Sequence, residues 1–202
     1  MKVTLIQATP NPIETISQIA SICYDSDPKD PMKLVKHLYY NGHHSVFGHI
    51  YFTFKIEGIS RACSHQLVRY RHSVPTQRSQ RYCSEDWFDF VVPPTVEREL
   101  FEADMKELAN WYDDYRAYGS PNEDARYVLP NACTTAMYMS FNLQEFIHIA
   151  NERLCSRAQW EIRDVVKEMV ELVDNDLKFM LVPKCQSGRI ICNNKCRGKS
   201  DD

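Results

Sequence analysis

The chain has 202 residues, 44% of them hydrophobic, which is enough to bury the core of one domain of ordinary size, and two independent domains are not expected. A formal net charge of -3 and a pI near 6.2 exclude a global pull toward nucleic acid or an anionic membrane, so any anion site must be local. No basic leader with a long apolar run and no stretch of membrane-spanning length occurs, so a cytoplasmic location is expected.

Residues 2 to 7 read as a strand, and apolar residues at helical spacing from Ile13 to Cys23, after Pro12 at a first-turn position, predict a helix. A second helix is expected from about Pro31 to Tyr40, stopped by Asn41 and Gly42. Tyr51, Thr53 and Lys55 alternate with Phe52, Phe54 and Ile56, the period of a half-buried strand. Ile59 to Val68 reads as helical, and Arg81 to Val92 favours a strand that ends at Pro93 and Pro94. A long helix should follow from about Thr95 to Tyr118, closed by Gly119, and then a short one from Glu123 to Leu129, stopped by Pro130. Thr134 to Phe141 fits a strand or a helix, and Gln144 to Leu154 reads as helix. In the last helix Ile162, Val165, Val166, Met169, Val170, Val173 and Leu177 recur at three- and four-residue steps, an apolar face destined for the core or a subunit interface. With no internal repeat or low-complexity linker, the pattern predicts one α+β domain over residues 1 to 183 and a polar, cysteine-containing C-terminal tail over 184 to 202.

Of the eight cysteines, Cys23, Cys63, Cys83, Cys133 and Cys155 are scattered singly, as reduced thiols are. Cys185, Cys192 and Cys196 lie close together, but they contain no CxxC pair and their first gap is too long for a zinc site, so no metal is expected.

Between Gly58 and Ser84 stand five arginines (Arg61, Arg69, Arg71, Arg78, Arg81) and two histidines (His65, His72), with no lysine and no acidic residue. Arginine binds phosphate and carboxylate through a planar fork and keeps its charge when partly buried. In an acidic protein this bias fits shaped anion recognition, against the alternative of a solvated basic face paired with acidic helices.

The stretch from Arg69 to Tyr82, RYRHSVPTQRSQRY, resembles the signature RHRxxxxxxxSxR of the flavin-dependent thymidylate synthases. Arg69 and Arg71 flank it, Ser79 is its serine and Arg81 its last arginine, while Tyr70 stands where the family carries the central histidine. The resemblance continues in order along nearly the whole chain. NGHHSVFGHIYFTFKI (Asn41 to Ile56) resembles the family's histidine-bearing loop and strand, and Gln66 lies three residues before the signature. ARYVLP (Ala125 to Pro130) resembles its arginine-bearing short helix, and NLQEFIHIANERLCSRAQWEIR (Asn142 to Arg163) its C-terminal helical block.

The resemblance implies a small antiparallel sheet flanked by long helices. It also implies methylation of dUMP to dTMP, with methylenetetrahydrofolate as carbon donor, NADPH-reduced FAD as hydride source and no enzyme cysteine nucleophile. By family position Arg153 is the catalytic residue, a guanidinium beside a uracil carbonyl that favours negative charge on the ring. Gln66, Gln77, Ser79, Arg81, Arg126 and Arg153 are the dUMP-binding candidates. Ser79 is read as a positioning residue, because no base adjoins it in sequence. The FAD candidates are His43, Ser45, Arg69, Tyr70, Arg71, His72, Asn142 and His148, and Gln144 stands where some members place an arginine. For His37, His44 and His65 a satisfied core or surface role is expected. Neither GxGxxG nor a P-loop pattern occurs, so neither dinucleotide is expected on a Rossmann unit. The family's arginine-lined pocket is shared between the subunits of a homotetramer, and no nucleic acid or membrane partner is expected. On the residues alone three other readings stay open: a single-stranded nucleic-acid module stacking bases on Tyr70 and Tyr82, a methylase or hydroxymethylase for another pyrimidine nucleotide, and an inactive homologue.

Overall fold

The computed structural model describes residues 1–23, 25 and 29–188; Cys192 and Cys196 lie outside the described residues. The described residues form strands β1 (Lys2–Ala8), β2 (Tyr51–Ser60), β3 (Ser73–Gln77) and β4 (Thr134–Asn142). Their helices are α1 (Pro12–Ser21), α2 (Pro31–Tyr40), α3 (Arg61–Leu67), α4 (Arg98–Ala117), α5 (Asn122–Ala125), α6 (Leu143–Arg153) and α7 (Trp160–Glu171). The strands make one antiparallel sheet in the order β1-β2-β4-β3, so the fold is α+β as expected. The chain packs as two compact units, one of residues 1–2, 56–69 and 75–138 and the other of 3–55, 70–74 and the chain from 139 onward. The unit boundary falls within each of the four strands, so neither unit is a contiguous piece of sequence.

The alternation read for β2 holds: Phe52, Phe54 and Ile56 are buried, while Thr53 and Lys55 are half-buried. Gly58, at φ +68°, breaks the period, and the next buried side chain is Ile59. An extra residue in the left-handed region is how a bulge resets which face a strand presents. β4 resolves the strand-or-helix ambiguity of Thr134 to Phe141, with Thr135, Met137, Met139 and Phe141 all buried at period two.

In the second unit Phe54, Phe141 and Phe146 form an aromatic knot, with centroids 5.1 to 5.7 Å apart. Phe52 joins it at 5.5 Å from Phe146. Rings stacked, tilted or edge-on at these separations gain about 0.5–1.5 kcal/mol per pair beyond their burial, and they seat α6 on the strands. The seven apolar residues predicted to share one face of the last helix are all buried, six of them within or just after α7 and Leu177 in a following 3-10 turn at Asn175–Leu177. That face is therefore core of the chain itself.

In the first unit Met105 and Ala109 of α4 pack with Phe88 and Cys133, flanked by Phe90, Phe101, Leu108, Leu129 and Ala132. The long helix starts at Arg98, because Glu97 caps it by accepting from the backbone N–H of Leu100 at 2.6 Å. The strand expected over Arg81 to Val92 does not form. Arg78 is hydrogen-bonded to Glu85 and to the Ser84 carbonyl, Trp87 sits at φ +50°, and pairing shrinks to a single bridge between Phe90 and Cys133. A charged turn thus overrides the β propensity of the apolar residues around it. β3, only five residues long and mostly exposed, was not expected from the sequence.

Described residues beyond 183 are packed against the rest of the second unit. Lys184 pairs with Glu152 at 2.7 Å and Ser187 is only 1% exposed, so the first residues past 183 are folded. No described helix is long and apolar enough to cross a membrane.

Candidate active site

The five arginines of the 61–81 segment separate into distinct roles. The Arg61 backbone N–H donates to the Cys133 carbonyl at 3.0 Å, and burial lowers the pKa of its guanidinium, whose buried Nη1 has no hydrogen-bond partner among the described residues. Arg78 is committed to buried Glu85, and that hydrogen bond raises its pKa. Arg81 pairs through Nε with Glu123 at 2.5 Å, and Arg126 donates to the Glu123 main-chain carbonyl at 3.1 Å. Arg69 and Arg71 are exposed, and among the described residues no carboxylate pairs with either. The segment is therefore neither a uniformly solvated face nor a uniformly paired one.

In the first unit, two expected nucleotide arginines, Arg81 and Arg126, meet at a single acidic residue on the four-residue helix α5. Ser79 accepts the Arg81 backbone N–H at 3.2 Å, holding the turn that presents Arg81. Gln77 ties its amide to Ser64 at 2.8 Å and to Thr135 at 3.3 Å, which fixes β3 beside α3 and β4. Gln66 lies half-buried on α3. Sequence reasoning did not single out Glu123, although an acid three residues before Arg126 was a visible signal.

In the second unit, the exposed face of α6 carries Gln144, His148 and Glu152 at four-residue spacing. Asn142 caps that helix, its Oδ1 accepting the Glu145 N–H at 2.9 Å. Arg153, at the helix end, donates from Nε to the Tyr70 hydroxyl at 2.6 Å, with its Cζ 5.5 Å from the Tyr70 ring centroid. The His148 ring stands edge-on to Tyr70 at 5.9 Å and 82°. Burial raises the phenol pKa and Arg153 partly offsets this, so Tyr70 is a neutral hydroxyl at physiological pH. The hydrogen bond from Lys184 lowers the pKa of Glu152.

The loop after α2 is set by Gly42 at φ +81°. Its N–H bonds the Tyr39 carbonyl and the His43 N–H bonds Leu38 at 2.9 Å, the six-to-one closure that ends a helix on glycine. His43 and Ser45 emerge exposed from this closure, Ser45 opening a 3-10 turn at Ser45–His49. His44 stacks on Tyr39 at 6.0 Å and contacts its carbonyl at 3.2 Å, a satisfied role as expected. Gly48 was not anticipated: a Cβ there would lie 3.8 Å from the Asn142 Nδ2 and 3.9 Å from the Gln144 Oε1. His72 is exposed.

A family model described as thymidylate synthase complementing protein matches residues 4–177. A flavin-dependent thymidylate synthase of Geobacter sulfurreducens is 42% identical over 190 residues, covering 86% of this chain and 82% of the relative. The chain belongs to the flavin-dependent thymidylate synthase family. The Pyrococcus furiosus enzyme of that name is 40% identical over 85% of this chain and 78% of its own length. A crystal structure of thymidylate synthase X from Helicobacter pylori with FAD and dUMP matches the fold at a TM-score of 0.79, with 21% identity over 92% of this chain and 99% of that one.

Proposed function

We propose that this chain methylates dUMP to dTMP, taking the one-carbon unit from methylenetetrahydrofolate. FAD charged by NADPH supplies the reducing hydride. The observation that carries this reading, in a chain of this family, is the convergence of Arg81 and Arg126 on Glu123. Arg81 holds the Glu123 carboxylate while Arg126 donates to the Glu123 main-chain carbonyl, so one short helix keeps two guanidiniums, a donor set that suits a dianionic phosphate. Gln66 and Ser79 lie in the same unit, and Arg153 is assigned the uracil ring by family position. There a guanidinium stabilises the negative charge that develops when C5 becomes nucleophilic.

The residues present fit FAD. Arg69 and Arg71 are exposed cations that no carboxylate pairs with among the described residues, and His148, His72, His43 and Ser45 are exposed. Gly48 leaves uncovered the Asn142 amide, whose Oδ1 is already used as a helix cap and whose Nδ2 remains a donor. Such a set would hold phosphate and ring acceptors without a glycine-rich loop.

By family resemblance no thiol nucleophile is used, and two thiols are poor candidates here: burial pushes Cys133 up to about 12 and Cys63 is fully buried. Ser79 is engaged in its turn and acts as a positioning group. By family resemblance the enzyme is a cytoplasmic homotetramer with sites at subunit interfaces.

The test is anaerobic. NADPH should bleach the bound flavin, and dUMP with methylenetetrahydrofolate should restore its absorbance with stoichiometric dTMP. Flavin turnover without dTMP would overturn the synthase reading and leave a flavoprotein. Tight single-stranded DNA binding with no flavin would favour the nucleic-acid module.

A further inference from the structure

At position 70 this chain departs from the family signature, and the structure puts that position to use. Tyr70 is 9% exposed and held from three sides. Its carbonyl accepts from the Ser73 hydroxyl at 2.7 Å, its ring meets His148 edge-on at 5.9 Å, and its hydroxyl accepts from Arg153 Nε at 2.6 Å. Arg153 is the last residue of α6, on a long side chain whose ordering costs up to about 2 kcal/mol of rotamer freedom when nothing holds it. Its sequence neighbour Glu152 takes Lys184 as partner at 2.7 Å.

We propose that Tyr70 is the positioning residue for Arg153: the phenol oxygen at Nε, on a buried ring whose centroid lies 5.5 Å from Cζ, orients the guanidinium in the place where the family carries histidine. The inference rests on the synthase reading, since it concerns the arginine assigned to the uracil ring. Because Nε is the atom engaged, the two Nη atoms are the far end of the planar group. A phenol and a neutral imidazole share the property this requires, a lone-pair acceptor on an aromatic ring. They differ in that the imidazole loses its acceptor on protonation. Tyrosine therefore performs the task without a titration near neutral pH.

Tyr70→Phe removes only the oxygen and keeps the buried ring. Single-turnover dTMP formation at saturating dUMP should fall on the order of tenfold, the loss expected for a hydrogen bond from a charged donor. Flavin content and dUMP affinity should stay within about twofold, a split that a general packing defect would not produce. In an Arg153→Ala background the same change should cost nothing further, because the oxygen acts through Arg153. Tyr70→His should recover most of the rate at high pH and lose it as pH falls through the imidazole titration, about 6.5 in an unperturbed side chain, a limb absent in Tyr70→Phe. The charged and titratable groups facing residue 70 are Arg153, Glu152, Glu145 and His148, and they are common to these two variants, so the difference isolates position 70.

A Tyr70→Phe enzyme at wild-type rate, one that has lost its flavin, or one whose defect adds to that of Arg153→Ala overturns the proposal. If the wild type itself forms no dTMP, the synthase reading fails, and crystal structures of wild type and Tyr70→Phe then judge the positioning. An unmoved Arg153 guanidinium overturns it, and a displaced one supports it.

Discussion

At the scale of single residues, identical side chains do different work because of what surrounds them. Arg78 and Arg153 are both hydrogen-bonded guanidiniums, yet Arg78 is bound to a buried carboxylate and Arg153 to a neutral phenol. Arg78 is thereby held in structure, whereas Arg153 is assigned to the uracil ring by family position. Arg153→Ala should therefore lower dTMP formation on the order of a hundredfold or more, the usual effect of removing a donor aimed at developing charge. Arg153→Lys should fare almost as badly, because an ammonium reproduces neither the planar fork nor the Nε contact to Tyr70. Rapid-quench measurement of dTMP with flavin content recorded in parallel checks both. Near-normal turnover in Arg153→Ala would make Arg153 a surface charge.

Among the elements, α6 carries the most of the proposed chemistry, and its cap separates folding from cofactor binding. Asn142 uses its Oδ1 to satisfy an N-terminal N–H of the helix, while its Nδ2 lies beside Gly48, 3.8 Å from where a Cβ would stand. Asn142→Ala should destabilise the protein by about 1 kcal/mol, the usual cost of losing a cap, and melting should shift by roughly 2–4 °C for a domain of this size. Asn142→Asp keeps a capping oxygen but replaces the donor with an acceptor. It should melt near the wild-type temperature yet purify with less flavin. Thermal unfolding followed by dichroism, with flavin quantified by absorbance, distinguishes the two, and full flavin occupancy in Asn142→Asp would exclude the amide as a cofactor contact.

For the whole molecule, a net charge of -3 hides a local excess of cations that the fold distributes unevenly. Arg61 and Arg78 are absorbed into structure, Arg81 and Arg126 share Glu123, and no carboxylate among the described residues pairs with Arg69 or Arg71. Ligand binding to the folded state alone stabilises it by about 2.7 kcal/mol at a hundred times Kd. Saturating dUMP should accordingly raise the melting temperature of the wild type by several degrees. The shift should shrink sharply in Arg81→Ala and Arg126→Ala, and salt should weaken it, because exposed charges are screened. Calorimetry with and without dUMP is the measurement. An undiminished shift in both variants would move the phosphate site elsewhere.

Periodicity alone determined much of this protein. The three-four spacing of Ile162 to Leu177, the alternation of Phe52, Phe54 and Ile56, and the Gly42 helix stop all appear where side-chain geometry requires. The arginine signature and the ordered strings around it were likewise legible, because a family resemblance is written in local sequence. Tertiary structure decided what local pattern cannot carry. It turned Arg81 to Val92 into a charged turn, since the Arg78–Glu85 pair and the left-handed Trp87 outweigh a modest strand preference. It assigned Thr134 to Phe141 to the sheet, where neighbouring strands supply the hydrogen bonds that a lone segment lacks. It also joined Tyr70 to Arg153, 83 residues apart, and Arg81 to Glu123, 42 residues apart. Contacts at such separations depend on where the folded chain brings two side chains together, and neither residue type nor spacing along the sequence encodes that meeting.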